Sequence, residues 1–165
     1  MSDTSTSTAA LLSDPRFIGQ IDELIGAYPK PESALIPSLH LCQAKLRHIP
    51  VEFQAFIAEK LGMSTAHVRG VVTFYEMFSQ KPQGRYLLQV CKTLPCMLAG
   101  SEQLLEHLRN KLGVKPGGTT QDGRFSLITV ECLACCDGGP ALMVNETLHK
   151  RVSPEDVDRL LDELE

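Results

Sequence analysis

Residues 85–96 read RYLLQVCKTLPC and residues 125–136 read FSLITVECLACC. Each opens as a short, apolar, β-compatible run, Arg85 to Val90 and Phe125 to Val130. The first run ends directly at Cys91, and the second ends two residues before Cys132. Two strands of one sheet would therefore carry the pairs Cys91/Cys96 and Cys132/Cys136 to the loops beyond their carboxyl ends. Around them, Leu104, Leu105, Leu108 and Leu112 give Leu98–Leu112 a helical face that closes at Gly113. PGGTTQDG then makes a turn-rich connection to the second run. ALMVN (141–145) and LHKRV (148–152) form a hairpin, and Ser153-Pro-Glu-Asp156 is a capping-box start to a last helix. The order β, α, β, β, β, α predicts a small α/β layer over residues 81–165.

Upstream of the turn Lys81-Pro-Gln-Gly84 the periodicity is helical throughout. Ser13 or Asp14 caps a helix with Pro15 in its first turn and Phe17, Ile18, Ile21, Leu24 and Ile25 on one face. A second helix falls within Glu32–His48 and begins near Pro37, a third follows Pro50 and stops at Gly62, and a fourth runs from Ser64 to about Val72. Residues 13–80 are thus predicted to be a small helical bundle. MSDTSTSTAALL (1–12) has no periodic apolar face and reads as a flexible tail. Val71, Val72, Phe74, Tyr75, Met77 and Phe78 are a dense apolar segment, read either as core at the junction of the two domains or as part of a partner interface.

A chain of 165 residues, 43% hydrophobic and 22% charged, fits one or two small globular domains. Its net charge of −4 divides evenly between residues 1–80 and 81–165, so a basic nucleic-acid footprint is missing. No apolar run approaches the roughly 20 residues that cross a bilayer, and the N-terminus lacks the layout of a signal peptide. The sequence predicts a cytoplasmic protein. No Gly-x-Gly-x-x-Gly follows a strand, so nucleotide binding is expected of another chain. His40, His48, His67, His107 and His149 are scattered and read as surface or packing residues.

Six cysteines without an export signal argue for metal, redox or core roles rather than disulfides. Thiolates suit zinc or iron–sulfur clusters, and four can hold either. The four-residue and three-residue spacers fit structural zinc knuckles poorly. Gly100 and Gly138-Gly139-Pro140 allow backbone N–H groups close to sulfur, which favours a cluster. Two readings remain beside it: a zinc-stabilised interaction module, and a thiol–disulfide oxidoreductase using Cys132-Leu-Ala-Cys135. Cys42 lies among helical apolar residues and reads as core. Lys92, next to Cys91, is a candidate for stabilising a reduced centre.

Gly70-Val-Val-Thr-Phe-Tyr75, Pro82-Gln-Gly-Arg85, the Cys91/Cys96 pair, Asp122-Gly-Arg-Phe125, and the Cys132/Cys136 pair followed by Gly139-Pro140 together resemble a known family. It is the family of the E subunits, or 24-kDa-type subunits, of NADH-quinone oxidoreductase, respiratory complex I, and the match runs from about residue 15 onward. The same module occurs in soluble NAD-dependent formate dehydrogenases and hydrogenases. The resemblance implies a thioredoxin-like α/β ferredoxin domain behind an N-terminal helical domain, with a [2Fe-2S] cluster held by Cys91, Cys96, Cys132 and Cys136. It also implies a flavoprotein partner that binds NADH and FMN, further subunits of the complex, and a peripheral place on the inner face of the cell membrane. Cys135 stands where the family usually has a small or polar residue, and Asp137-Gly-Gly-Pro140 departs from its usual apolar residue before the proline.

Overall fold

A computed structural model describes residues 7–164. It divides into two compact units, Met1–Pro82 and Gln83–Glu165.

In the first unit three helices start where the sequence supplies a side-chain cap. Ser7 accepts from Ala10 N–H at the start of α1 (Thr8–Leu12), Asp14 from Arg16 N–H at α2 (Pro15–Gly26), and Ser64 from His67 N–H at α5 (Thr65–Phe74). Between them lie a 3-10 turn (Pro31–Ala34), α3 (Leu35–Leu46) and α4 (Val51–Leu61). Pro37 sits in the first turn of α3, where its missing N–H has no intrahelical partner to lose. Phe17, Ile21, Leu39, Phe53, Ile57 and Val68 form the fully buried core. Two expectations change. Residues 8–12, read as tail, are helical, because Leu11 is buried in this core and anchors them; residues 1–6 of that tail lie outside the described residues. Val72 and Phe78 are core of this unit, while Phe74 and Met77 are exposed. Gln43 holds the segment carrying Phe78: its amide donates to Met77 C=O (2.6 Å) and accepts from Ser79 N–H (2.8 Å).

The second unit is a five-stranded sheet of β1 (Tyr86–Cys91), β2 (Gly118–Thr119), β3 (Phe125–Val130), β4 (Leu142–Val144) and β5 (Thr147–His149), in the order β2-β3-β1-β4-β5. β1 and β3 are parallel, with Cys91 opposite Val130; the other pairs are antiparallel. The helices α6 (Leu94–Leu98) and α7 (Ser101–Leu112) make the crossover between β1 and β3, and α8 (Pro154–Glu163) ends the chain. Leu104 and Leu108 of α7 and Val157 and Leu161 of α8 share one core with Leu88, Val90, Leu127, Leu142 and Val144, the alternate residues of the central strands. The helix expected from Leu98 begins instead at Ser101, after a break at Ala99-Gly100 where Gly100 takes φ 104°, and the one-turn α6 before it was not expected. The connection read as turns also contributes the short edge strand β2.

Two motifs acquire physical roles here. In Asp122-Gly-Arg-Phe125, Asp122 accepts from Thr120 Oγ1 and from Arg124 N–H. This turn aims the Arg124 guanidinium at the Leu161 and Leu164 carbonyls (3.1–3.2 Å), capping the C-terminus of α8. In Pro82-Gln-Gly-Arg85, Gly84 N–H donates to Ser126 Oγ (2.7 Å) and brings the chain against the start of β3.

Candidate metal centre

The parallel pairing of β1 and β3 brings both cysteine segments out at the same end of the sheet. Cys91 is the last residue of β1, and Cys132 follows its register partner Val130 by two residues. Lys92 Nζ and Glu131 pair at 2.7 Å across these strand ends. Lys92, singled out in the sequence, is thus held by a carboxylate.

Cys91 and Cys96 are both buried, at 1% exposure, and form a small cluster with Cys135 and Ala141, flanked by Leu133. α6 makes this possible: Pro95 opens its first turn and Cys96 follows, so the helix turns the second thiol back toward the first. The two thiols lie close enough to influence each other's ionisation. Burial pushes the Cys91 thiol up, but the Thr93 hydroxyl (3.0 Å), the N–H groups of Thr93 and Leu133, and the Cys96 thiol outweigh it. The net result lies below the ordinary cysteine value. Cys96 goes the other way: burial and the neighbouring Cys91 raise it, and Ala141 N–H and the Thr93 hydroxyl only partly offset them.

Cys132 and Cys136 are exposed on the loop between β3 and β4, and Ala134 N–H donates to Cys132 Sγ at 3.2 Å. Ala134 has φ 53°, a left-handed conformation that costs an alanine energy and folds the loop tightly between the two cysteines. The loop continues through a 3-10 turn, Cys136–Gly138, to the cis Gly139-Pro140 bond. Among the described residues, no three potential metal-ligating side chains are gathered at one point. The first pair is assembled, and its buried neighbour from the second segment is Cys135, not Cys132 or Cys136. The spacing of Cys132-Leu-Ala-Cys-Cys136 gives no signal of this burial.

The donor set nonetheless fits a thiolate-bound group. N–H groups of Thr93, Leu133, Ala134 and Ala141 approach the sulfurs of Cys91, Cys132 and Cys96, the arrangement that anionic sulfur requires. Gly139 leaves a cradle against the first pair, since a Cβ there would stand 3.1 Å from Ala99 Cβ and 3.6 Å from Cys96 Sγ. Leu94, Met97 and Leu98 of α6 are exposed beside the buried Cys96. Cys42 is buried in the core of the first unit.

Residues 21–165 match the family model of the thioredoxin-like [2Fe-2S] ferredoxins. The E subunit numbered 2 in the NADH-quinone oxidoreductase of Rhizobium meliloti (strain 1021) is 38% identical over 143 residues, covering 87% of this chain and 85% of the relative. The corresponding E subunit of Aquifex aeolicus (strain VF5) is 37% identical over 142 residues, covering 86% and 89%. That of Pseudomonas aeruginosa is 34% identical over 162 residues, covering 94% and 98%. Among solved structures, an NAD+-reducing [NiFe]-hydrogenase in its H2-reduced state superposes on 79% of this chain with a TM-score of 0.69 at 23% identity, which shows a shared fold over 22% of that longer chain. The chain belongs to the thioredoxin-like [2Fe-2S] ferredoxin family, the family of the NADH-quinone oxidoreductase E subunits.

Proposed function

We propose that this chain is the electron-carrying E subunit of an NADH-quinone oxidoreductase, and that Cys91, Cys96, Cys132 and Cys136 hold its [2Fe-2S] cluster. The observation that carries the reading is the pairing of β1 with β3, which brings two cysteine pairs out at one end of a sheet. When bound, such a cluster accepts and returns one electron. The chain's own part is to hold and shield it. Four thiolates supply the ligands, and backbone N–H groups of Thr93, Leu133 and Ala134 offset their negative charge. Loop 131–139 must re-aim Cys132 and Cys136 from the surface toward the first pair; outside its single 3-10 turn it has no regular structure to oppose this.

NADH and FMN belong to a flavoprotein partner in this reading, because no phosphate-cradling glycine loop follows a strand in this sequence. Exposed Leu94, Met97 and Leu98 beside Cys96 support a protein surface covering that end of the sheet. Among the described residues no helix is long and apolar enough to cross a membrane. A place on the cytoplasmic side, reached through the partner subunits, is part of the proposal.

The test is iron, zinc and acid-labile sulfide on the anaerobically purified chain, with an EPR spectrum after dithionite reduction. Equal iron and sulfide with a rhombic signal support the proposal. Zinc without sulfide, or sulfur present only as free thiols, overturns it in favour of a structural module or a dithiol enzyme.

A further inference from the structure

Thr93 occupies the N-cap position of α6 with extended backbone, φ −67° and ψ 156°. A threonine there ordinarily accepts from the N–H of the second or third helical residue. Ser7, Asp14, Ser64 and Ser153 all do so at their helices, but the Thr93 side chain makes no such bond. Its hydroxyl lies instead 3.0 Å from Cys91 Sγ. A residue with an ordinary structural use for its hydroxyl therefore directs it to a sulfur.

We infer that Thr93 is a positioning residue of the redox centre: its hydroxyl donates to Cys91 Sγ and raises the midpoint potential of the cluster that this sulfur holds. The inference rests on the reading of Cys91 as a ligand. A metal-bound thiolate has lone pairs and no proton, so the hydroxyl is the donor. Reduction adds one electron, and the added negative charge spreads onto the sulfurs. A hydrogen bond to sulfur is therefore stronger in the reduced state than in the oxidised one, which favours taking the electron up. The N–H groups of Thr93 and Leu133 also approach Cys91, but no side-chain substitution removes them. The hydroxyl is the donor that can be deleted alone.

Thr93→Val keeps the branched shape and removes the hydroxyl; Thr93→Ser keeps the hydroxyl. Each full-length protein is purified anaerobically, its iron and acid-labile sulfide are counted, and its EPR signal is titrated against potential. The expected result is a more negative midpoint for Thr93→Val and a wild-type midpoint for Thr93→Ser, at equal iron content. A fully loaded Thr93→Val with the wild-type midpoint overturns the inference, as does an equal shift in Thr93→Ser. If Thr93→Val fails to load, Thr93→Ala is read in the same way. If neither loads while Thr93→Ser does, the hydroxyl is structural and the inference falls. Wild-type protein without iron and sulfide overturns the cluster reading itself, before any midpoint is compared.

Discussion

Replacing Gly84 by alanine forces a methyl group into backbone. The new Cβ would stand 2.8 Å from the carbonyl carbon of Phe125 and 3.0 Å from the carbonyl carbon and oxygen of Arg124. Ordinary contact begins near 3.4 Å, so one segment must move by several tenths of an ångström. Neither can move freely: Gly84 N–H is bonded to Ser126 Oγ (2.7 Å), Arg85 N–H to Gly123 C=O (3.0 Å), and Tyr86 N–H to Arg124 C=O (2.8 Å). Overpacking of this kind costs about 1–3 kcal/mol. Because Gly84 is not in the left-handed region, alanine recovers about 0.4–1 kcal/mol by restricting the unfolded chain. The net expectation is destabilisation of about 1–2 kcal/mol, or a fall of about 4–16 °C in the Tm of the second unit. Gly70 in α5 is the matched control, since a Cβ there meets nothing within 4 Å. Gly70→Ala should gain about 0.5–1 kcal/mol from helix propensity alone. Thermal and urea unfolding of both variants, followed by circular dichroism, compares the signs directly. A Gly84→Ala protein as stable as wild type would refute the argument that close backbone approach explains this glycine.

Other consequences follow from the same geometry. Arg124→Met removes the donors that cap α8 and should cost about 1–2 kcal/mol, with faster amide exchange confined first to the last turn of that helix; unchanged exchange there would sink the capping role. The Asp156 carboxyl is held below its ordinary value by Ser153 N–H, then the Ser153 hydroxyl, then Arg159. Folding therefore lowers its affinity for protons, so its stabilisation of α8 is complete above about pH 4, the unfolded value. That contribution is lost as pH falls through the lower folded value, and Asp156→Asn should abolish this component of an acid titration of helicity. Burial pushes the Cys42 thiol up to about 12. Native protein at about pH 8, near the ordinary thiol value, should thus leave Cys42 unlabelled by iodoacetamide while labelling it readily in urea, and mass spectrometry of the tryptic peptide reads the difference.

Much of this was legible because the decisive elements are long enough to show a period. The alternation of Leu88 and Val90, and of Phe125 and Leu127, marks β1 and β3, and the caps at Asp14, Ser64 and Ser153 mark helix starts. Elements shorter than a period were not legible. LPCML is one turn of helix, GT is two residues of edge strand, and α1 is five residues, capped by Ser7 and anchored by buried Leu11. The site divides in the same way. Spacing and strand ends point to two cysteine pairs, but nothing local tells which thiol of Cys132-Leu-Ala-Cys-Cys136 faces inward. That depends on the left-handed turn at Ala134, a conformation no sequence signal assigns to alanine. The hydroxyl of Thr93 was equally hidden, since the one-turn helix it precedes shows no period and the approach of the hydroxyl to Cys91 appears only in the fold.

The most direct measurement of the central claim is iron, acid-labile sulfide and EPR on six single serine variants, one for each cysteine, purified anaerobically. The account predicts that Cys91→Ser, Cys96→Ser, Cys132→Ser and Cys136→Ser each lose the wild-type EPR signal, while Cys42→Ser and Cys135→Ser keep full iron, full sulfide and the wild-type spectrum. Loss of the cluster in Cys135→Ser, with retention in Cys132→Ser or Cys136→Ser, would contradict it and make the buried thiol beside Cys91 and Cys96 the ligand.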